Sequence, residues 1–250
     1  MEIFYPVLSV LIVSLISVLA GLPFLIKKKV PKFLLMFLLS LSVGVLLSTV
    51  FLHFIPEIVE KGYDFQAGLV ILLGFFIMFI LEKLVHWHHS KKTGGQCGHG
   101  HGYSLAPINL IGDGIHNFLD GLVIAGAYSV NIAIGFATTI AVIFHEVPQE
   151  IADFGVLLYS GMSKFKALLF NFLSAATAIV GVLIGIVLVN KLSGFTHFII
   201  PFAAGNFLYI AASNLLPELH RHCKIYETLQ HLFAIVLGIT IVLIVSITGH

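Results

Sequence analysis

The sequence predicts an all-α fold of eight transmembrane helices, with both termini on the extracytoplasmic side of a membrane. Three observations lead to this prediction: the composition, the recurrence of long apolar stretches, and the uneven distribution of Lys and Arg. Of the 250 residues, 58% are hydrophobic and only 10% are charged, whereas soluble domains carry about 25% charged residues. A net charge of +1 and two cysteines provide neither a basic surface for nucleic acid nor a disulfide scaffold. Composition therefore excludes soluble globular, disordered and nucleic-acid-binding proteins.

Apolar stretches long enough to cross a bilayer recur along the chain. A hydrocarbon core of about 30 Å needs about 20 helical residues. The predicted spans are residues 5–26, 33–56, 66–86, 105–128, 132–158, 166–190, 195–217 and 228–248. Because these spans use nearly the whole chain, we predict one membrane domain over residues 1–250.

Positive charges set the orientation of the spans. All but two of the 13 Lys and Arg residues lie in or beside the loops that follow the odd-numbered spans. The exceptions are Lys61 and Lys191. Since cytoplasmic loops are enriched in Lys and Arg, the loops after the odd-numbered spans are predicted to be cytoplasmic.

One of these cytoplasmic loops, residues 87–104, concentrates His among Gly and Lys. Two interpretations stay open: a solvated linker, and a low-affinity metal sink that receives or senses a released ion. The candidate ligands of the sink are His88, His89, His99 and His101.

Spans four and five carry an unusual concentration of acidic residues. They hold five of the 12 Asp and Glu residues of the chain. These are Asp113, Asp120, Glu146, Glu150 and Asp153. Each carboxylate would cost about 2.5–3.5 kcal/mol at the bilayer centre, and the sequence has no Lys or Arg between Lys92 and Lys164. Carboxylates buried without internal cations must be protonated, hydrated or neutralised by a bound metal ion.

Helical periodicity predicts that these acids meet His and amide side chains. At 100° per residue, the polar residues of span four fall within an arc of about 60° and most of those of span five within about 100°. The two sets are Asp113, His116 and Asp120, and His145, Glu146, Gln149 and Asp153, with Glu150 just beyond. Opposed faces of the two spans would place imidazole, carboxylate and amide groups around one point. Such a set suits Zn²⁺, Fe²⁺, Mn²⁺ or Cd²⁺ better than Cu⁺.

Pro148 adds a feature of the backbone in span five. Because Pro lacks an N–H, the carbonyl of Phe144 loses its helical donor. An unsatisfied backbone group at membrane depth survives only where it lines a cavity or finds another partner. We therefore expect a cavity or a partner beside Phe144.

Two motifs in these spans resemble signatures of the ZIP (Zrt/Irt-like) family of divalent-metal transporters. Residues 116–121 read HNFLDG, which resembles the family's HNFxDG motif, and residues 145–150 read HEVPQE, which is similar to the HEVPxE motif of its largest branch. The resemblance covers essentially the whole chain. It implies that the protein is a transporter and not an enzyme. This transporter would move zinc, iron or manganese into the cytoplasm by alternating access, without ATP hydrolysis and without an organic cofactor. It also implies a homodimer. From the compact loops and the composition we expect a multi-pass protein of the plasma membrane, surrounded by lipid and without a nucleic-acid partner.

The resemblance also implies which residues hold the metal. Carried over by position, the ligands are His116, Asp120, His145, Glu146 and Gln149, with Asn117 at an adjacent second metal position. Many members of the branch have His where this chain has Gln149, and an amide oxygen is a harder and weaker ligand that would favour iron or manganese over zinc. Some members bridge two metals with a carboxylate from span six. Residues 167–190 contain no Asp or Glu, so a full binuclear centre is not expected.

A short repeat ends spans two and seven. Residues 53–57 read HFIPE and residues 214–218 read NLLPE. The predicted topology places these two ends on opposite sides of the membrane, as an inverted repeat requires. Glu57 would then lie at the outer mouth of a transport route and Glu218 at its inner mouth. The remaining candidates for this route are His53, Asp113, Glu150, Asp153 and Asn214.

Two other functional classes stay open. His145 and Glu146 begin like the HExxH motif of zinc proteases, but residue 149 is Gln, so the second His ligand is missing. The other class is a metal channel or efflux protein. The sequence has no GxxxxGK[ST] phosphate-binding loop for ATP-driven export, but residues alone do not fix the direction of transport.

Overall fold

A computed structural model of the chain describes residues 3–26, 32–92, 106–159, 161–220 and 224–248. Every regular element within these ranges is helical. The α-helices are α1 (Phe4–Ile26), α2 (Lys32–Thr49), α3 (Ile55–Glu60), α4 (Phe65–Lys92), α5 (Ala106–Val130), α6 (Ile132–Tyr159), α7 (Lys164–Ala175), α8 (Thr177–Lys191), α9 (Phe195–Tyr209), α10 (Leu216–Leu219) and α11 (Ile225–Thr248). Two π-helical turns, π1 (Val50–Phe54) and π2 (Ile210–Leu215), join α2 to α3 and α9 to α10.

Six helical stretches among the described residues are long and apolar enough to cross a membrane. They are Met36–Glu60, Phe65–Lys83, Ile132–Gly155, Lys164–Lys191, Phe195–Leu219 and Ile225–Val245. The fold is therefore that of an all-α polytopic membrane protein. The apolar helix found in α1, Phe4–Ile16, is shorter, and α5 is made more polar by its Asp, His and Asn residues. The count of eight spans and the side on which the termini lie stay predictions.

Two helix boundaries differ from those expected. Helix α4 runs on to Lys92, beyond the predicted end of span three at residue 86, because a helix continues through polar residues after its apolar stretch ends. The predicted span six is divided at Ala176 into α7 and α8. At this point the hydroxyl of Thr177 donates to the carbonyls of Gly114 and Ser174, and side-chain hydrogen bonds of this kind bend helices.

The two halves of the fold repeat one motif. In each half a long helix ends in a π-helical turn, and a short helix with Pro at its first or second position follows directly. The prolines are Pro56 and Pro217, which belong to the HFIPE and NLLPE sequences. The weak repeat in the sequence therefore has a structural counterpart.

Each half of the fold packs one of its long helices against a long helix of the other half. Helix α2 packs along α11, where a Cβ on Gly44 would collide with the Ile235 carbonyl. Helix α4 packs along α9 in the same way, where a Cβ on Gly205 would collide with the Ile71 carbonyl. Such direct backbone contact at Gly is typical of helix pairs in membranes. If the repeat relates α2 to α9 and α4 to α11, it turns the pair α2–α11 into the pair α9–α4, and both pairs are present.

Helices α5 and α6 lie inside the bundle. Helix α5 packs against α6, α8 and α9, while α6 also packs against α1 and α2. Close contact of α5 with α8 is possible because a Cβ on Gly121 or Gly181 would meet the backbone of the other helix. Because both helices are covered by neighbours, their polar faces are buried.

The carbonyl of Phe144 has the kind of partner that the sequence requires. Helix α6 continues through Pro148 without a break, and the hydroxyl of Ser42 on α2 donates a hydrogen bond to the Phe144 carbonyl. A side chain of a neighbouring helix thus replaces the missing backbone donor and ties α2 to α6.

Candidate metal centre

Four side chains of α5 and α6 converge on one point, which we call the ring: His116, Asp120, His145 and Glu146. The Nε2 atom of His145 lies 3.0 Å from Oδ2 of Asp120 and 3.2 Å from Nε2 of His116. The Nε2 atom of His116 lies 3.2 Å from Oε1 of Glu146 and 3.6 Å from Oδ2 of Asp120. All four residues are at most 4% exposed. The ring is therefore a compact and buried set of two imidazoles and two carboxylates.

The spacing of the ring atoms matches that of ligands around a small dication. Zinc binds His nitrogen and carboxylate oxygen at about 2.0–2.2 Å in tetrahedral geometry, which places the ligand atoms about 3.3–3.5 Å apart. The distances that involve a His nitrogen run from 3.0 Å between His145 and Asp120 to 3.7 Å between His145 and Glu146. All four ligand atoms lie within 4.8 Å of one another, so they are close enough to share one ion.

A hydrogen bond fixes how His145 presents itself to the ring. Its Nδ1 atom lies 2.8 Å from the carbonyl oxygen of Ala141, one turn earlier in α6. Since a carbonyl can only accept, Nδ1 carries a proton, and in the neutral imidazole Nε2 carries the lone pair. A second hydrogen bond of this kind is common for His residues that bind metals. His145 therefore directs an electron pair into the ring.

The carboxylates of the ring are not neutralised by Lys or Arg. Within the part of the chain that the structure describes, the nitrogen atoms within 4 Å of the Asp120 and Glu146 carboxylates belong to the imidazoles of His116 and His145. Their second oxygens, Oδ1 of Asp120 and Oε2 of Glu146, are buried and have no hydrogen-bond partner among these residues. Buried carboxylate oxygens need compensation, and a dication would supply it.

A second group of acids adjoins the ring and shares Glu146 with it. Ligand atoms of Asp113, Glu146 and Glu150 lie within 4.8 Å of one another, and all three residues are buried. Amides surround this group. The Nδ2 atom of Asn117 donates to Oδ1 of Asp113 at 3.0 Å, and Nδ2 of Asn171 donates to the Glu150 carboxylate.

Gln149, which was predicted beside the ring ligands, contacts the second group. Its Nε2 atom donates to Oδ1 of Asp113 at 3.2 Å. Asn117 lies beside Asp113 as well, and its place at a second metal position stays a prediction. The structure thus divides the six predicted ligands into four around the ring and two amides around Asp113.

The other predicted residues lie outside both groups. His53 is buried in π1. Glu57 lines a cavity of about 310 Å³ between the α3–α4 turn and the start of α9, and it forms an ion pair of 2.7 Å with Lys61. Asp153 and Glu218 are half-buried. The side chains of Asn214, His88 and His89, and residues 93–105 with His99 and His101, lie outside what the structure describes.

Sequence reasoning missed two residues that the structure places beside the ring and the second group. Asn171 of α7 contacts Glu150, and it could have been noticed as an amide within an apolar span. Phe207 of α9 is fully buried, and its ring centroid lies 5.7 Å from that of His145 and 5.6 Å from that of Phe54. An apolar residue in an apolar span gives no signal in the sequence. Phe207 therefore covers His145 on the side of α9, and Phe54 of π1 packs against Phe207.

Comparison with known proteins identifies the family of the chain. A family model described as ZIP Zinc transporter matches residues 3–107 and 98–246. The human protein named Zinc transporter ZIP10 is 36% identical over 186 residues, which cover 67% of this chain and 22% of that protein. The Metal cation symporter ZIP14 of Xenopus tropicalis is 31% identical over 290 residues, covering 88% of this chain and 62% of that protein. The Zinc transporter ZIP13 homolog of Drosophila melanogaster is 29% identical over 279 residues, covering 85% and 78%. The chain thus corresponds to only 22% of the length of the ZIP10 relative and 62% of that of the ZIP14 relative.

Proposed function

The chain belongs to the ZIP zinc transporter family, and from this premise we propose that it carries a divalent metal ion, zinc above all, across a membrane into the cytoplasm. The observation that carries the proposal is the ring of His116, Asp120, His145 and Glu146, whose atoms are spaced like ligands around one dication. We assign this role to the whole of residues 1–250 as a single transport domain in the plasma membrane, with a homodimer as its assembly.

The ligands of the ring suit a transported ion, which must be released after it has been bound. Two imidazoles and two carboxylates bind zinc, iron or manganese without the thiolates that make structural zinc sites so tight. All four ligands come from two adjacent helices, so a small displacement of α5 against α6 changes every distance between a ligand of one helix and a ligand of the other. The ring is therefore proposed as a site of moderate affinity.

The second group provides the next position for the ion. Glu146 belongs to both groups, so an ion can leave the imidazoles of the ring while it keeps this carboxylate. Asp113 lies earlier in α5 than the ring residues, and Glu150 and Asp153 lie later in α6. Under the predicted topology these positions lead toward the cytoplasm, which gives the proposed direction of transport.

The arrangement of the helices suggests which parts would move in alternating access. Helices α1, α5, α6, α7 and α8 pack together, α2 with α11 and α4 with α9 form two further close pairs, and these pairs meet the first set mainly where α2 packs on α6 and α9 packs on α5. We propose that the first set, which carries the ring, moves against the second set without ATP hydrolysis. The cavity lined by Glu57 would open to the outer solution and form the entrance.

Metal flux into proteoliposomes tests this function. The purified chain would be reconstituted with a metal-sensitive dye inside the vesicles, and zinc, iron(II) and manganese would be added outside at equal concentrations. We expect saturable uptake of zinc that exceeds the leak of empty vesicles. Wild-type protein that is folded and inserted but moves none of the three metals would contradict the proposal.

A further inference from the structure

Asn206 on α9 is an exception to the rule that buried polar groups have partners. The residue is fully buried, and neither Nδ2 nor Oδ1 of its amide has a hydrogen-bond partner among the described residues. It is also the one amide side chain in α9. A buried polar side chain without a partner in a native structure needs an explanation. In a membrane helix the explanation is usually functional.

The direction in which Asn206 points follows from its neighbours on α9. Ile199, seven residues earlier, packs on Gly126 of α5, where it would collide with an added Cβ. Seven residues turn an α-helix by nearly two full turns, so Asn206 lies within about 20° of Ile199 and about 10 Å further along the axis. Asn206 therefore faces α5 too.

The level at which Asn206 meets α5 follows from the direction of the helices. Under the predicted topology α5 and α9 run in opposite directions, and the start of α9 accordingly meets the end of α5 at Gly126. Seven residues back from Gly126 along α5 is Leu119, next to Asp120 of the ring. A separate contact places Asn206 at the same height along α5. The aromatic centroid of Phe207, the residue after Asn206, lies 5.7 Å from the imidazole centroid of His145.

We infer that Asn206 forms a wall of the metal site and that its amide oxygen is an additional ligand of the bound ion, contributed by α9. This inference rests on the proposed function. A neutral amide oxygen adds a ligand without adding charge, which strengthens binding less than a third carboxylate would. Because α9 belongs to the helix pairs against which the ring-bearing set would move, the Asn206 ligand is lost when that set moves. The ion would then be held more weakly and could pass to Asp113 and Glu150.

Cobalt(II) provides the test, since its visible absorption reports the number of ligands and does not depend on transport. Purified protein in detergent would be titrated with Co²⁺ for the wild type, for Asn206→Leu and for Asn206→Asp. We expect Asn206→Leu to weaken Co²⁺ binding by roughly 10-fold and to intensify the visible bands, as loss of one ligand toward a four-coordinate ion does. Asn206→Asp should bind Co²⁺ more tightly and keep the weaker bands of the wild type.

Asn190→Leu is the matched control, because that amide is exposed and donates to the Ile186 carbonyl of its own helix. It should leave both affinity and spectrum unchanged. Unchanged affinity and spectrum in both Asn206 variants would overturn the inference and leave the proposed function intact. A wild-type protein that binds no Co²⁺ would overturn both. If Asn206→Leu does not fold, the Asn206→Asp titration decides by itself.

Discussion

Gln149 donates from its amide nitrogen to Oδ1 of Asp113 at 3.2 Å, so the residue that replaces a common family His serves the second group rather than the ring. As a hydrogen-bond donor it stabilises the carboxylate of Asp113. Any influence of Gln149 on metal preference therefore acts through Asp113, at the position that the ion would occupy after the ring.

Gln149→His tests this relationship. An imidazole nitrogen near Asp113 is a ligand that zinc favours more than manganese does, so we expect the ratio of zinc to manganese uptake to rise. Competition between the two metals in proteoliposomes measures the ratio. Gln149→Ala is the control, since it removes the amide without adding a ligand, and it should not raise the ratio. An equal rise in both variants would show that the imidazole is not the cause.

Removal of a ring ligand should abolish transport. His145→Ala and Asp120→Ala each delete one of four ligands and leave buried carboxylate or imidazole groups uncompensated, so we expect uptake to fall by about 100-fold or more. Uptake would be normalised to the amount of protein in the membrane. Thr240→Ala, which removes an exposed hydroxyl that bonds only within α11, should transport normally. Wild-type uptake by both ring variants would show that the ring is not the transport site.

Ser42 should contribute to stability through the carbonyl of Phe144. Ser42→Ala removes the donor that replaces the missing N–H of Pro148, and a buried acceptor left unpaired costs about 1–3 kcal/mol. Thermal unfolding in detergent, compared with the wild type, measures the loss. Thr240→Ala again serves as the control and should change stability by less than about 0.5 kcal/mol. Equal effects of the two substitutions would mean that water replaces the Ser42 hydroxyl.

A pair of Gly→Ala substitutions tests the direct contact between α4 and α9. In Gly205→Ala the new methyl group meets the backbone of Ile71 and Phe75, and overpacking of this kind costs about 1–3 kcal/mol. Gly155→Ala in α6 places its added carbon more than 4 Å from every other described atom beyond the adjoining turns of α6, so the helix preference of Ala should leave stability equal or about 0.5–1 kcal/mol higher. The comparison is made by unfolding in denaturant. If Gly205→Ala were as stable as Gly155→Ala, α4 and α9 would not be in backbone contact.

The sequence predicted the parts of the site that depend on helical periodicity. His116 and Asp120 are one turn apart on α5, and His145 and Glu146 are adjacent on α6, so the rotation per residue was enough to predict that they meet. The charges themselves required that these faces point inward. The same reasoning placed Asp113 and Glu150 nearby but did not predict that they share Glu146.

What the sequence did not predict depends on contacts between distant helices. Asn171, Asn206 and Phe207 lie in spans that are ordinary in composition, and their positions follow from how α7 and α9 pack against α5 and α6. The expectation that a full binuclear centre is absent rested on the lack of Asp and Glu in span six, and it did not consider that Asn171 of this span reaches Glu150 with an amide. The break at Ala176 likewise depends on Thr177 reaching a carbonyl of α5.

The repeated motif of π-helical turn, proline and short helix has a consequence for the alternating access proposed above. Under the predicted topology the two copies point in opposite directions, so imposing the backbone torsions of one copy on the other would produce an alternative arrangement of the same chain, open toward the opposite solution. Differences between the torsions of the two copies would then describe the path from one arrangement to the other. Cysteine pairs chosen to be close in only one of the two arrangements would report which one the protein adopts in a living membrane.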